Sequence, residues 1–182
     1  MNNCLFIIQC KGEHDLGKCL IVCESLCYGN TAKVANAMAE TAKARLCRAA
    51  QLKSLNLEKY EIIGFGSGIA YGRHYDALLK AVGQLNLHGK NVFVFSTSGT
   101  GNIQYNSTLI GLLKNSGASV VGNFTCRGCD TFGPFQSMGG ISKGHPDSDD
   151  LAAAKNFMLQ MEKQTADAPL VPRRQQITEP IK

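Results

Sequence analysis

Runs in which every residue is apolar alternate along this chain with stretches whose apolar residues return every third or fourth position. Cys19-Leu20-Ile21-Val22-Cys23 is of the first kind, as expected of a strand covered on both faces within a parallel sheet. Ala32 to Leu46 is of the second: Val34, Ala35, Met38, Ala42 and Leu46 share one helical face, and Lys43 and Arg45 stand where a helix C-terminus favours cations. A short second strand is expected over Arg48 to Leu52 and a brief connector over Leu55 to Tyr60. Ile62-Ile63-Gly64-Phe65 reads as the third strand. Asp76 to Leu85 returns to the helical period, and Asn91-Val92-Phe93-Val94-Phe95 has the β-branched and aromatic content of a fourth strand. A helix from Ser107 to Asn115, closed by Gly117, leads into the fifth strand, Ser119 to Phe124. The last helix starts among Asp147, Asp149 and Asp150 and runs to about Lys163.

Strands alternating with helices through right-handed crossovers predict an α/β fold, a doubly wound five-stranded parallel sheet of strand order 2-1-3-4-5. The pattern occupies residues 19–164 and makes one domain. Residues 1–18 show no sustained period and form an N-terminal extension. Residues 165–182, with three prolines and paired arginines, read as a disordered C-terminal tail.

Composition narrows the class. A chain of 182 residues with 44% hydrophobic content can bury one substantial core without staples. The N-terminal run Cys4 to Ile8 falls short of a signal-peptide core, and no stretch reaches the roughly 18 apolar residues of a membrane helix. A cytoplasmic protein with no membrane partner is expected. The eight cysteines are then read mainly as free thiols. Cys126 and Cys129 form the one C-x-x-C pair; with no further ligand pair, no metal is expected. Both are read as spectator thiols rather than a redox dithiol, because a Gly-rich loop follows them instead of a helix N-terminus. The net charge of +5 is scattered rather than striped, so nucleic-acid binding is not expected.

Candidate chemistry gathers where three strands end. Ser25, Leu26, Cys27, Tyr28, Gly29, Asn30 and Thr31 follow the first strand, Gly66 to Gly72 the third, and Ser96 to Gly101 the fourth. In sheets of this order ligands collect outside the carboxyl ends of the strands, at the switch between strands one and three, where flavin mononucleotide sits in one common version. The first loop offers hydroxyls and backbone N–H groups at a helix start, which hold a phosphate without a lysine. It lacks the Lys and second Gly of a nucleotide-triphosphate loop, and no G-x-G-x-x-G follows the first strand. A monophosphate is the expected ligand. Ser25 and Thr31 also have the plainer reading of helix caps, and Gly68 and Gly99 that of turn residues at positive φ, with close approach to a ring as a compatible second role. Tyr71 either stacks on a ring or packs on the neighbouring helix. His74 either delivers a proton near the ring or is a solvated or capping imidazole. Asp147, Asp149 and Asp150 are a helix start rather than a metal site. The Gly-rich stretch 126–146 exceeds ordinary loop length, which in compact domains usually marks function.

These segments resemble the flavodoxin family, over roughly residues 19–164. Ser25 to Thr31 is similar to its phosphate loop; Tyr60 to Ile69 and Phe95 to Gly99 are similar to its two ring-binding loops; Thr131 to Phe135 resembles a segment of a flavodoxin-like branch. The resemblance implies FMN as cofactor, with Ser67, Gly68, Ile69, Ala70, Tyr71 and Gly72 and Ser96, Thr97, Ser98 and Gly99 around the flavin ring. It implies a redox protein that cycles a noncovalent flavin in electron transfer with a protein partner. Carriers of that family are generally acidic, and this chain is basic, which would reverse their steering. The alternative is an NAD(P)H-dependent FMN oxidoreductase acting on a small acceptor of quinone or azo type, with the long loop shaping the pocket. A third class is a flavin-free scaffold, against which the intact loops argue. No residue is assigned a catalytic role.

Overall fold

The computed structural model describes residues 18–26, 28–137 and 139–167. The N-terminal extension before Lys18, Cys27 and the tail beyond Asp167 lie outside the described residues. Strands β1 (Cys19–Glu24), β2 (Arg45–Cys47), β3 (Ile62–Ala70), β4 (Arg73–His74), β5 (Asn91–Ser98) and β6 (Ser119–Arg127) alternate with helices α1 (Asn30–Ala42), α2 (Asp76–Val82), α3 (Ser107–Asn115) and α4 (Ser148–Asp167). The parallel strands lie in the order β2-β1-β3-β5-β6, and β4 folds back antiparallel on the end of β3. Leaving out that two-residue strand, the order is the expected 2-1-3-4-5.

The alternation within each strand explains the two covering layers. Leu20 and Val22, Ile63 and Phe65, and Val92 and Val94 face α2 and α3, meeting Leu78, Val82, Leu109 and Leu113. Ile21, Cys23, Phe93 and Phe95 face the other way, onto Val34, Ala35 and Met38 of α1 and Ala154, Met158 and Met161 of α4. Gly64 and Gly66 make room for the two phenylalanines of β5: a Cβ on Gly64 would stand 2.2 Å from the Phe93 ring, and one on Gly66 2.4 Å from that of Phe95. Emptying either phenylalanine site costs about 3–5 kcal/mol.

Several boundaries differ from expectation for physical reasons. The first helix stops at Ala42, because Lys43 takes the left-handed conformation at φ 47°. Leu46 therefore belongs not to that helix but to β2, pairing at its level with Ile21; its spacing of four from Ala42 imitates the helical period. Residues 49–54, where the second strand was expected, form a 3-10 turn. The second and third Gly/Ser segments begin inside strands rather than after them: Gly66, Ser67 and Gly68 stay in register with Phe95, Ser96 and Thr97. Small residues there continue the ladder, since backbone pairing needs no side chain. The helix expected to Leu85 ends at Val82, and the last helix runs to Asp167. Among the described residues no helix is long and apolar enough to cross a membrane.

A candidate cofactor cleft at the carboxyl ends of the strands

Parallel register brings Glu24, Ser67 and the Gly68–Thr97 pair to one edge of the sheet, beside Ser98 and Arg127. The segments that leave these strands surround a cleft of about 780 Å³, within the range of small-molecule sites.

From the first loop, Leu26, Tyr28, Asn30 and Thr31 line this cleft. Gly29, at φ 69°, turns the chain into α1 from just outside the lining. Ser25 serves the plainer role: its Oγ accepts the Ala32 N–H at 3.2 Å, satisfying a first-turn amide. The Thr31 and Thr97 hydroxyls meet at 2.7 Å. Whichever donates, the other keeps a proton with no acceptor assigned among the described residues. Asn30 donates from Nδ2 to the Cys129 carbonyl at 2.8 Å, while its Oδ1 is buried with no partner found.

From the second segment, Gly68, Ile69, Ala70, Tyr71 and Gly72 line the cleft. Gly68 is not at positive φ; its lack of a side chain serves close packing, since a Cβ there would stand 2.3 Å from the Tyr75 hydroxyl. Positive φ falls instead on Tyr71 (51°) and Gly72 (75°), the two residues between paired Ala70 and Arg73. Both signs match a type I′ hairpin, whose first central position favours Asn, Asp or Gly. A tyrosine there is strained, and its ring is 87% exposed at the cleft mouth.

Ser67 and His74 do not line the cleft. Ser67 Oγ and His74 Nδ1 lie 2.8 Å apart, and His74 Nε2 is 2.9 Å from Asn106 Oδ1, whose amide nitrogen donates onward to Asn123 and the Phe124 carbonyl. With Asn106 Oδ1 as an acceptor, Nε2 carries the imidazole proton. Burial pushes the His74 pKa down to about 4, the Asn106 bond opposing it. His74 is thus a neutral, buried brace between the β3–β4 hairpin and α3, neither solvated nor a helix cap.

From the third segment, Thr97, Ser98, Gly99 and Thr100 line the cleft, whereas Ser96 points into the sheet and donates to Thr125. Gly99 also is not at positive φ; Gly101, at 64°, makes the turn. A Cβ on Gly99 would stand 2.6 Å from Ile141. The long loop after β6 is therefore folded over the third segment. It adds Gly128, Cys129, Asp130, Thr131, Phe132, Gly133, Phe135, Gln136 and Ile141 to the lining, and Tyr75 and Tyr105 complete it. In the sequence that loop was marked by its length, its glycines and the segment Thr131 to Phe135.

Cys19, Cys23, Cys47, Cys126 and Cys129 are free thiols. Burial, with Asp150 and Asp147 adding to it, pushes Cys126 up to about 12, so it stays protonated. His145, Asp147 and Asp150 stand close enough to hold an ion, but their carboxylates cap α4. Asp147 Oδ1 accepts the N–H groups of Asp149 and Asp150, each at 3.0 Å, and Asp150 Oδ2 accepts that of Asp147 at 3.0 Å and faces His145 Nδ1 at 2.6 Å. The Asp150 backbone bond holds the Asp147 carboxyl below its ordinary range.

A flavodoxin-domain family model matches residues 20–128. The chain belongs to the flavodoxin family. An uncharacterized protein of Methanocaldococcus jannaschii is 34% identical over 142 residues, which are 77% of this chain and 95% of that protein. Among solved structures, oxidised flavodoxin 2 from Bacillus cereus superposes with a TM-score of 0.62 at 19% identity, over 81% of this chain and 99% of that one. A flavodoxin from the domain Archaea gives 0.56 at 18% identity, over 81% and 99%. Those two likenesses establish the flavodoxin fold.

Proposed function

We propose that this flavodoxin-family protein binds FMN noncovalently in the cleft and works as a redox protein in electron transfer. The observation that carries this reading is Tyr71, a large aromatic side chain held exposed in a strained turn at the cleft mouth. Strain of this kind persists at sites where the surroundings and the function require it. A flat ring at the mouth gives Tyr71 a face to stack on.

The rest of the cleft suits the same ligand. The first turn of α1 has amides without intrahelical partners, and one hydroxyl proton of the Thr31–Thr97 pair is uncommitted, which together are donors for a phosphate. The orphaned Asn30 Oδ1 is an acceptor, a role that a ribityl hydroxyl complements. Gly72 adds no side chain to the cleft, whereas the Cβ positions of Gly68 and Gly99 are covered by Tyr75 and Ile141. When bound, the flavin supplies one- and two-electron chemistry; the chain's part is to hold the phosphate at α1, place the ring against Tyr71 and exclude water with the loop after β6.

A second reading, an NAD(P)H-dependent oxidoreductase acting on a small acceptor of quinone or azo type, is favoured by that loop, because Phe132, Phe135 and Ile141 extend the cleft with an apolar wall. The net charge of +5 suits an acidic partner if a protein receives the electrons. Cytoplasmic location accords with both readings. Copurified or titrated FMN tests the binding. Anaerobic bleaching of the bound flavin by NADPH alone supports the oxidoreductase, whereas reduction only through a partner reductase supports the carrier. Absence of FMN affinity overturns both.

A further inference from the structure

A second hollow lies on the α2 face of the sheet. Leu20 and Val22 of β1 face α2 and α3, so Glu24, two residues on, leaves the strand on that same face. There the segment 48–57, which contains the turn Ala49–Ser54, and α2 with the turn after it enclose a groove of about 610 Å³. It shares no lining residue with the cofactor cleft, and its size is that of a small-molecule site.

Its floor is apolar surface that the core leaves uncovered. Leu52 is buried, whereas Leu55, Leu57, Ala81 and Leu85 pack on the core and stay half-buried in the groove lining. Ala77, Lys80 and Ala81 follow at spacings of three and four on α2, which places them on one stripe of the helix. All three line the groove, and the two alanines leave open the space that longer side chains would fill.

Its charge is one-sided. The charged residues of the lining are Glu24, Arg48, Lys53 and Lys80. Glu24 is 4% exposed and both its oxygens are taken: Oε1 accepts the Ala49 N–H and Oε2 the Arg48 Nη2, each at 2.8 Å. That bond fixes the guanidinium at the groove, and a guanidinium has further donors to offer. Lys53 and Lys80 are exposed and form no ion pair among the described residues. Three cations and one neutralised carboxylate therefore border an apolar floor. The leucines are half-buried rather than protruding, so a ligand has to enter the groove to reach them.

We propose that this groove binds a free single-chain carboxylate of the medium-chain fatty-acid class, its alkyl chain along Leu55, Leu57, Ala81 and Leu85 and its carboxylate held by Arg48, Lys53 and Lys80. Both parts of the ligand are needed. A carboxylate alone gains only exposed charge pairing, which is weak, and a chain alone leaves the cations unanswered. The inference is independent of the flavin reading, since the two sites have separate linings.

The test is titration of the full chain with octanoate, followed by amide chemical shifts, with acetate as the head alone and octanol as the chain alone. Octanoate should saturate and move the amides of Lys53, Leu55 and Ala81, with acetate and octanol each binding about tenfold more weakly or worse. Lys53→Ala combined with Lys80→Ala should weaken octanoate about tenfold and, both positions being exposed, melt as the parent does. Ala81→Leu, which fills the groove, should weaken it at least as much. Octanoate binding that neither variant changes, or octanol binding as tightly as octanoate, overturns the inference. Competition by FMN overturns it too, by placing octanoate in the cleft. A parent that ignores octanoate but binds phosphatidylglycerol vesicles gives the groove to a membrane. Self-association that Ala81→Leu abolishes gives it to a second copy, and nuclear Overhauser contacts from Phe6 to Leu55 in the ligand-free chain give it to the chain's own N-terminal run. Each of these outcomes also overturns the proposal.

Discussion

Thr31 on α1 and Thr97 on β5 join their hydroxyls at 2.7 Å, across 66 residues of sequence, at the floor of the cleft. Both are almost wholly buried. The bond ties the start of the first helix to the end of the fourth parallel strand, and it leaves one proton for a ligand. Thr31→Val removes one hydroxyl of the pair and leaves that of Thr97 without its partner. Weakening of FMN binding by about 1–3 kcal/mol is expected, read by fluorescence titration. Unchanged affinity would take the first loop out of the phosphate assignment.

Tyr71 sets stability against binding. Its φ of 51° precedes Gly72 at 75°, the geometry for which Asn-Gly is the preferred pair. Tyr71→Asn should therefore raise unfolding stability by about 1 kcal/mol, the scale of the left-handed penalty that Asn largely escapes. The same change should weaken FMN binding by removing the stacking face. Denaturant unfolding of the flavin-free protein and a binding titration give the two halves independently; a variant no more stable than the parent would mean that the turn is unstrained.

The alternation of buried runs and periodic helices was enough to place four of the five parallel strands, the strand order and the three converging segments. It misassigned Leu46 because a residue four after Ala42 satisfies the helical period even when Lys43 has already turned the chain. It also ended β3 and β5 early, since Gly and Ser carry no strand signal while backbone pairing to Gly68 and Thr97 continues the ladder. Ser67 was read as a ring contact and His74 as either a proton donor or a solvated or capping imidazole; their joint role as a brace was not legible, because their partner Asn106 lies 32 residues beyond His74. The loop after β6, a strap over the third segment, was hardest to read. Its clips, Asn30 to Cys129 and Tyr28 to Thr131, span 99 and 103 residues, and no local period encodes them.

The contact of the strap with Gly99 is testable without a ligand. A side chain at this position meets Ile141 at 2.6 Å and Asp130 at 3.0 Å, so Gly99→Val should lift the strap. The amides of Asp130 and Ile141, bonded to each other's carbonyls, should then exchange hydrogen at least tenfold faster, corresponding to a loss of about 1.4 kcal/mol in local opening energy. Exchange at Val92 and Val94, in the middle of β5, should stay slow. Unaltered protection at Asp130 and Ile141 would show that the strap does not depend on the bare glycine.

His74 makes stability depend on pH with a definite sign. Burial lowers its folded pKa to about 4, against about 6.5 in the unfolded chain. Between those values the unfolded state binds the proton and the folded state does not, so acid favours unfolding. The contribution is complete above about pH 6.5 and is lost progressively as pH falls toward 4, amounting to on the order of 3 kcal/mol. His74→Gln keeps a polar side chain between Ser67 and Asn106 but cannot titrate. Its unfolding free energy should be lower than that of the parent at pH 7, and the pH slope between 6.5 and 4 should be shallower by up to one proton. Urea unfolding at half-unit pH steps measures both quantities. Equal slopes in parent and variant would mean that His74 takes up its proton in the folded state, against the cost of charging a buried imidazole.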